Sequence, residues 1–229
     1  MLDRILNAVV VIICILILLV SLYSLLDNHR QMEEANDTSV LVYKPNLEKL
    51  GTEEFVFKKI NENHKAWLSV DDTNIDYPIM QGESNLDYLN YDPYGNFRLS
   101  GSIFLDCTNS PDFSDDYSLI YGHHIRAGAM FGTLDFYKDR SFFDSHRSGW
   151  IVVDNGTAFD FEVFAVMSID ASDKIIFRPA EQTTATILDF LRESAMIFEE
   201  PEEGLRLVAL STCAGNLDRL VVFGTIRER

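Results

Sequence analysis

The sequence predicts a mainly β fold: a closed β-barrel with helical additions, preceded by one transmembrane helix. Three observations support this prediction. Short apolar runs separated by turn residues recur from Trp67 to the C-terminus, which is typical of a barrel of many short strands. The segment from Thr184 to Phe198 has its apolar residues in helical spacing. Before residue 30 the chain is almost continuously apolar.

The first element is an apolar run from Ile5 to Leu26, interrupted only by Asn7, Ser21, Tyr23 and Ser24. As a helix it would be about 33 Å long, enough to cross a hydrocarbon core of about 30 Å. A cleaved signal peptide normally has a shorter apolar region and ends in an Ala-x-Ala-like site, and no such site follows Leu26. Residues 1–30 are therefore predicted to be an uncleaved, single-pass membrane anchor.

The orientation of this anchor is less well defined by charge. Arg4 precedes the apolar run and His29 and Arg30 follow it, so the positive-inside bias is weak. A large acidic domain follows, which fits an extracellular location. We therefore expect a protein of the cell membrane with its folded domain on the outer face.

Two further regions follow the anchor. Residues 31–52 are polar and are predicted to form a stalk or linker, and residues 53–229 are predicted to form one folded domain. Apolar residues at Phe55, Ile60 and Trp67 predict a short N-terminal helix between Glu53 and Trp67 that packs on this domain.

The predicted strands are short and either apolar or alternating in pattern. They are Trp67–Val70, Ile75–Met80, Gly101–Leu105, Tyr117–Tyr121, Trp150–Val153, Phe159–Ile169, Leu205–Leu210 and Leu220–Ile226. Pro78 favours an edge or bulge for the second strand, because proline donates no hydrogen bond to a sheet. The predicted helix from Thr184 to Phe198 comes directly before the strand that leads to Cys213.

Charge and cysteine content narrow the function classes. The formal net charge of the 229 residues is −17, which argues against nucleic acid as a partner because phosphate binding needs clustered Lys and Arg. Of the three cysteines, Cys14 lies in the apolar segment, so only Cys107 and Cys213 could pair outside it. No disulfide framework is implied, and Cys107 is interpreted as a structural thiol.

Cys213 and Arg219 stand at the facing ends of two apolar runs and would meet across a short loop. His123 follows Gly122 at the end of another predicted strand. Taken one at a time, these residues have ordinary explanations: a buried inert thiol, a surface charge and a loop histidine. Together they have the layout of a cysteine transferase or protease.

These residues carry a family resemblance. Leu210–Cys213 (Leu-Ser-Thr-Cys), with Arg219 ahead of Val221–Gly224 and with Ile120–His123 (Ile-Tyr-Gly-His), resembles the signature of sortases, which are membrane-anchored cysteine transpeptidases of Gram-positive bacteria. Further segments look like class B members: Asn74–Ile79, Gln81-Gly82, Tyr88–Asn90, Gly101–Asp106, Met130–Gly132 with Leu134, and Phe142–Asp144. The resemblance covers residues 53–228. It departs from many class B members in the short loop Ala214–Asp218 and in alanine at position 214.

The resemblance implies a mechanism. Cys213 as thiolate would attack the Thr carbonyl of a C-terminal sorting signal similar to Asn-Pro-x-Thr-x and form a thioester. His123 would protonate the departing amine and later deprotonate the incoming one, and Arg219 would stabilise the oxyanion or hold the peptide backbone. The implied partners are sorting-signal-bearing surface proteins, a peptidoglycan cross-bridge amine or its lipid-linked precursor, and the cytoplasmic membrane.

Substrate contacts are also implied by the resemblance. Asn85, Leu89 and Ser211 would line the peptide groove, although a core position for Leu89 fits its pattern nearly as well. Residues of the helix from Thr184 to Phe198 would form the other wall. His124 is not expected to act, because neighbours on a strand point to opposite faces. The other histidines, His29, His64 and His146, are predicted to be surface residues.

No metal site or cofactor is expected, since the acidic residues show no EF-hand spacing. Two alternatives stay open: a sortase of another class, including one that polymerises pilins, and a non-catalytic barrel that binds peptides or wall polymers. A papain-like protease does not fit, because its cysteine would open a helix near the mature N-terminus.

Overall fold

A computed structural model describes residues 2–35, 38–125, 128–213 and 218–229; the side chains of residues 2, 3, 28, 30–35 and 213 are outside this description. Nine strands form one sheet. They are β1 (His64–Val70), β2 (Asp76–Met80), β3 (Ile103–Leu105), β4 (Tyr117–His123), β5 (Ser148–Val153), β6 (Ala158–Asp170), β7 (Ile197–Phe198), β8 (Arg206–Cys213) and β9 (Asp218–Glu228).

The sheet closes into a barrel, as predicted. Its order is β5-β1-β2-β3-β4-β8-β9-β6-β7, and an additional pairing between β5 and β6 closes eight of the strands into a ring. The long strand β6 pairs with β9 along one edge; on its other edge its first part pairs with β5, and Ala165 and Val166 pair with β7. Two pairings, β2 with β3 and β4 with β8, are parallel, and the others are antiparallel.

The apolar run that leads to Cys213 is explained by burial on both faces of β8. Val208 and Leu210 belong to the core inside the barrel, whereas Leu207 and Ala209 face a second core on the outside. Helix α3 (Thr184–Ser194) covers this second core with Ile187. A strand buried on both faces reads as continuous rather than alternating, which is the pattern in the sequence.

The helices agree with the predictions only in part. Helix α3 begins as predicted, with the Thr183 hydroxyl accepting a hydrogen bond from the backbone N–H of Thr186 at 3.2 Å. It ends at Ser194, and the last predicted helical residues form β7 instead. A 3₁₀ helix (Phe131–Lys138) and the short helix α2 (Arg140–Ser145) lie between β4 and β5.

The N-terminal helix α1 (Leu2–Ala35) contains the apolar run. Its segment Arg4–Asp27 has a mean hydropathy of 3.2, and none of that apolar stretch is buried against the rest of the chain. The length and composition are those of a membrane-spanning helix. The helix continues past residue 30, into the region predicted to be the stalk.

The chain after α1 lies against the barrel. It forms 3₁₀ turns at Thr38–Tyr43 and Leu47–Lys49, and Val40 is buried in a cluster with Trp67 and Trp150. Partly buried residues complete the cluster: Tyr43, Leu47, Leu50, Phe55, Phe57 and Ile60. Lys44 forms an ion pair with Asp76 at 2.6 Å. Residues 38–50, predicted to be part of a stalk, therefore cover the wall formed by β1 and β5.

The helix predicted between Glu53 and Trp67 is wrong. Residues 53–63 contain only turns and extended chain, and Trp67 lies in β1. Ile60 and Trp67 are seven positions apart, which fits one helix face, but Phe55 and Ile60 are five apart and would lie about 140° apart around a helix, so the three do not form a stripe. They converge because the extended segment folds back over the β1 wall.

Candidate active site

Strand pairing brings His123 and Cys213 together. In the parallel ladder of β4 and β8 the register runs from Tyr117 opposite Leu207 to His123 opposite Cys213. Neighbouring strands lie about 4.8 Å apart, so the two backbones are adjacent. The side chain of Cys213 and residues 214–217, including Ala214 and most of the short loop noted above, lie outside the described part of the chain.

The His123 ring is held by one hydrogen bond. Its Nε2 lies 2.6 Å from the backbone oxygen of Leu89. A carbonyl oxygen only accepts, so Nε2 carries the proton and Nδ1 is the nitrogen left for proton exchange when the ring is neutral. Burial lowers the pKa of His123, the positive charge of Arg219 lowers it further, and the Leu89 carbonyl acts in the opposite direction. The neutral ring is therefore favoured.

Gly122 is required by close packing beside His123. A Cβ atom at this position would lie 2.4 Å from Cδ1 of Ile103 and 2.7 Å from Cδ2 of Phe131. Both neighbours are buried in the barrel core and have little room to move. The glycine thus lets the end of β4 pass between them and places the next residue at the strand end.

His124 has a different environment. Its Nε2 lies 2.5 Å from a carboxylate oxygen of Asp135, whose other oxygen accepts from Lys138 at 2.7 Å. This is a partly exposed charge cluster on the 3₁₀ helix before α2. His124 follows the last residue of β4, and its ring has different hydrogen-bond partners from the ring of His123.

Arg219, near the start of β9, lies beside the same strand ends. Its Nη1 donates to the backbone oxygen of Thr212 at 3.3 Å, and its guanidinium lies 5.5 Å from the ring centre of Phe177. Its Nε is buried and has no hydrogen-bond partner among the described residues. A buried donor without a partner costs about 1–3 kcal/mol, so this nitrogen is suited to a ligand acceptor.

An open groove of about 230 Å³ lies next to these residues. Its lining contains Arg219 and two predicted substrate contacts, Asn85 and Leu89. The other lining residues are aromatic or apolar: Leu86, Phe104, Tyr121, Ala171 and Phe177. Leu89 is half-buried and contributes to the groove with its side chain and to His123 with its backbone. The structure therefore joins a histidine, an arginine and a peptide-sized cleft.

Asn85 is fixed in this groove by a buried carboxylate. Its Oδ1 accepts from the backbone N–H of Cys107 and its Nδ2 donates to Asp106, each at 2.8 Å. The Tyr121 hydroxyl donates to the same Asp106 oxygen at 3.1 Å. Asp106 was not singled out as a site residue from the sequence. Its position directly after a strand, inside the segment Gly101–Asp106, was a signal that could have identified it.

Two expectations about the groove differ from the structure. Ser211 is fully buried, its hydroxyl lies 3.4 Å from the Thr212 carbonyl oxygen, and it is not among the groove-lining residues, although its ladder partner Tyr121 is. The second wall comes from Ala171 and Phe177 in the connection before α3, whereas α3 itself packs into the core.

The remaining histidines are not all at the surface. His64 is completely buried in β1, which corrects the prediction of a surface residue. His146 is half-buried and stacks on Phe142 with a ring separation of 3.8 Å, and His29 is exposed. Within the described ranges, no group of three His, Cys, Asp or Glu residues is arranged to hold a metal ion.

Comparison with known proteins gives consistent matches. The family model of the Sortase domain matches residues 68–227. Sortase B of Staphylococcus aureus is 31% identical over 161 residues, covering 68% of this chain and 65% of that protein. The chain thus matches slightly less than two thirds of that relative's length. Sortase B of Listeria monocytogenes is 32% identical over 179 residues, covering 74% of this chain and 72% of that protein.

A solved structure extends the likeness to the fold. A Streptococcus pyogenes class B sortase involved in pilus biogenesis is 38% identical and superposes with a TM-score of 0.68. The alignment covers 73% of this chain and 94% of that one.

Proposed function

This chain belongs to the sortase family, within class B, and from this premise we propose that it cleaves a C-terminal sorting signal similar to Asn-Pro-x-Thr-x. Cleavage occurs after the Thr, and the new carboxyl end is transferred to a peptidoglycan amine. The product is a surface protein fixed covalently to the cell wall.

The pairing of His123 with Cys213 is the observation that carries this proposal. Parallel pairing of β4 and β8 makes the two residues neighbours at the ends of their strands. Arg219 reaches the same place from β9 and contacts the carbonyl of Thr212, the residue before the cysteine. These contacts between three separate segments support a site in which Cys213 is the nucleophile, His123 the proton carrier and Arg219 the cation.

The chemistry proceeds in two transfers. The Cys213 sulfur attacks the Thr carbonyl carbon, the C–N bond breaks, and the imidazolium of His123 gives its proton to the leaving amine. The thioester is then attacked by the acceptor amine, whose proton returns to His123 as the thiolate leaves. Arg219 donates to the carbonyl oxygen as negative charge develops on it.

The lowered pKa of His123 bears on the rate of this cycle. Near neutral pH the ring is mostly neutral because burial and Arg219 disfavour the imidazolium. The reactive thiolate–imidazolium pair is therefore a minor form of the free enzyme, and we expect slow turnover in the proposed reaction.

We place the reaction at the outer face of the cell membrane. Helix α1 has the length and apolarity of a single-pass anchor, and the domain beginning at residue 38 follows it directly. The partners in this proposal are surface proteins with a sorting signal and a cross-bridge amine or its lipid-linked precursor.

A hydroxylamine trap tests the proposal. The full chain in detergent is incubated with an Asn-Pro-x-Thr-x peptide and hydroxylamine, and products are identified by mass spectrometry. We expect a hydroxamate at the Thr that disappears in Cys213→Ala and persists in Cys107→Ala, a matched change at another thiol. Peptide binding without any cleavage would favour a non-catalytic binding module.

A second candidate is pilin polymerisation. It is favoured by the 38% identity to the S. pyogenes class B sortase involved in pilus biogenesis. In that case the acceptor is a pilin lysine rather than a cross-bridge amine. Competition between a lysine-containing pilin fragment and a peptidoglycan fragment for the same acyl-enzyme, with both products quantified, decides between the two acceptors.

A further inference from the structure

Exposed apolar side chains are concentrated in one region of the domain. Beyond α1, the described residues include ten large hydrophobic side chains that are exposed: Leu41, Val42, Val56, Leu86, Tyr91, Tyr94, Phe97, Leu99, Phe136 and Met196. Six of them lie in two short stretches, Leu41-Val42 and 91–99. We call these six residues the aromatic patch: Leu41, Val42, Tyr91, Tyr94, Phe97 and Leu99.

The two stretches touch each other. The hydroxyls of Ser39 and Tyr94 lie 3.2 Å apart, and the rings of Tyr43 and Tyr94 meet edge to face with centres 6.3 Å apart. Within the second stretch, Tyr91 and Phe97 form an isolated backbone bridge and an edge-to-face ring pair at 5.9 Å. The aromatic patch is thus built on two segments held together by side-chain contacts.

Charge sets this region apart from the rest of the molecule. Residues 38–47 and 90–100 contain only three charged residues, Lys44, Asp92 and Arg98, which sum to +1, whereas the chain as a whole carries −17. Lys44 is paired with Asp76 at 2.6 Å and Arg98 with Asp92 at 3.0 Å. The region is therefore close to neutral on a strongly acidic protein.

The chain also places this region close to the end of the apolar helix. From Asp27, where the apolar segment ends, α1 continues to Ala35, which adds about 12 Å. The three peptide units from Ala35 to Thr38 span at most about 11 Å. The 3₁₀ turn with Leu41 and Val42 therefore begins within about 23 Å of the hydrocarbon edge, and the headgroup layer extends about 5–7 Å beyond that edge.

We propose that the aromatic patch rests in the headgroup region of the membrane that α1 crosses. This inference rests on the proposed anchoring by α1. Tyr, Phe and Leu are the residues that favour the bilayer interface, and exposed apolar patches mark interaction surfaces. A near-neutral patch also spares the acidic domain the repulsion that anionic lipids would exert on its other faces.

The aromatic patch is coupled structurally to the groove. The backbone N–H of Arg98 donates to the oxygen of Asn90 at 3.0 Å, and that of Ser102 to the oxygen of Tyr88 at 3.0 Å. Between these two clamps lies Leu89, which holds the His123 ring and lines the groove. Membrane contact through the patch therefore fixes the direction in which the groove opens relative to the bilayer surface.

Fluorescence quenching tests this contact. The full chain is reconstituted in lipid nanodiscs with brominated or ordinary acyl chains, carrying either Phe97→Trp or the matched control Phe136→Trp, an exposed phenylalanine on the 3₁₀ helix Phe131–Lys138. The signal of the native Trp67 and Trp150, both buried, is subtracted with the unmodified chain. We expect bromine quenching and a shift to shorter wavelength for Phe97→Trp and neither for Phe136→Trp.

The other outcomes contradict the inference. If the emission of Phe97→Trp is the same in brominated and in ordinary lipid, the aromatic patch is not in the membrane. A blue shift that appears in detergent and grows with protein concentration would assign the patch to a second copy of the chain. Vesicle flotation separates the causes: a chain that floats without quenching keeps its anchor and refutes the patch alone, and a chain that does not float refutes the anchor.

Activity provides a second test. The Phe97→Glu variant should transfer a lipid-anchored sorting peptide several-fold more slowly than the unmodified chain, because the charge is expelled from the interface. Its rate with a water-soluble peptide should be unchanged. Equal losses with both peptides would mean that the substitution disturbs the groove and would contradict the proposed membrane contact.

Discussion

The barrel has two contrasting sides, and each carries a histidine that is shielded from solvent, completely for His64 and partly for His123. On the β1–β5 wall, His64 is sealed under the N-terminal segment, with the Phe57 ring at 4.9 Å and its Nδ1 accepting from the Ile60 N–H at 3.3 Å. On the β4–β8 side, His123 donates to the Leu89 carbonyl next to an open groove. Burial lowers the pKa of both rings, that of His64 to about 4.

A lowered histidine pKa therefore does not identify the active residue in this molecule. His123 differs from His64 in its surroundings: it lies next to an open groove, near the positive charge of Arg219, and opposite Cys213 in the strand pairing. His64 has aromatic neighbours and an Nε2 without a hydrogen-bond partner among the described residues. The surroundings of His123 suit proton transfer, whereas those of His64 suit a packing role in the β1–β5 wall.

The sharpest test of this contrast replaces each of the two histidines separately. His123→Ala should lower the rate of acyl transfer about 10³-fold, because a general acid and base typically contributes 10²–10⁴. His64→Leu should leave the transfer rate within about twofold of the original. A loss of similar size in both variants, measured by hydroxamate formation at equal folded concentration, would remove the distinction between the two sides.

Arg219 offers the next largest effect. Arg219→Gln should lower kcat/KM about 10²-fold, since it removes the donor assigned to the developing oxyanion. It should also raise the pKa of His123, because the Arg219 charge is one cause of its depression. NMR titration of the ring measures this shift. The control is Arg178→Gln at the exposed Arg178–Glu181 pair, which should change neither quantity.

The β1–β5 wall predicts a pH effect on stability. The unfolded chain protonates His64 near pH 6.5 and the folded chain near 4, so the unfolded state binds more protons between these values. Stability that is fully present above pH 6.5 should thus fall by about 3 kcal/mol as the pH drops through this window. Urea unfolding of residues 38–229 at several pH values measures the fall.

The variant His64→Leu isolates this contribution from the titration of carboxylates. It should be less stable than the original at pH 7, where the Ile60 N–H loses its acceptor, but its stability should fall less steeply below pH 6.5. Parallel pH curves for the two proteins would show that His64 does not carry the effect.

The smallest predicted effect concerns Asp106, the buried carboxylate that orients Asn85 in the groove. Asp106→Asn should lower kcat/KM about tenfold, mainly through KM, because the carboxylate that orients the Asn85 amide and the Tyr121 hydroxyl loses its charge. Asp112→Asn, at an exposed aspartate in the next loop, is the matched control and should have no effect. An unchanged KM in Asp106→Asn would mean that Asn85 needs no positioning.

Much of the barrel was predictable, because its strands have clear local signatures. The runs that became β4, β8 and β9 are buried on both faces and therefore show as continuous apolar stretches. The closure between β5 and β6, and the parallel pairing of β4 with β8, join residues far apart in the chain. The residue pattern of one strand does not specify which other strand it pairs with or in which register, so these pairings could not be predicted from the sequence pattern alone.

The site shows the same division. Cys213, His123 and Arg219 were predicted from short motifs, and Asn85 and Leu89 from the family resemblance; their roles stay predictions. Phe177 was missed because it lies in an irregular connection without periodicity, and its role depends on packing against Arg219. His64 was misjudged because its neighbours Asn63 and Lys65 are polar, whereas its burial comes from Phe57 and Trp67.

The thioester on Cys213 is the most direct test of the proposed mechanism. Intact-mass measurement of the full chain after rapid mixing with an Asn-Pro-x-Thr-x peptide should show an adduct equal to the peptide up to its Thr. Peptide mapping should place it on Cys213, and His123→Ala should slow its formation. Cleavage of the peptide with no adduct at any time, or an adduct on Cys107, would contradict the account.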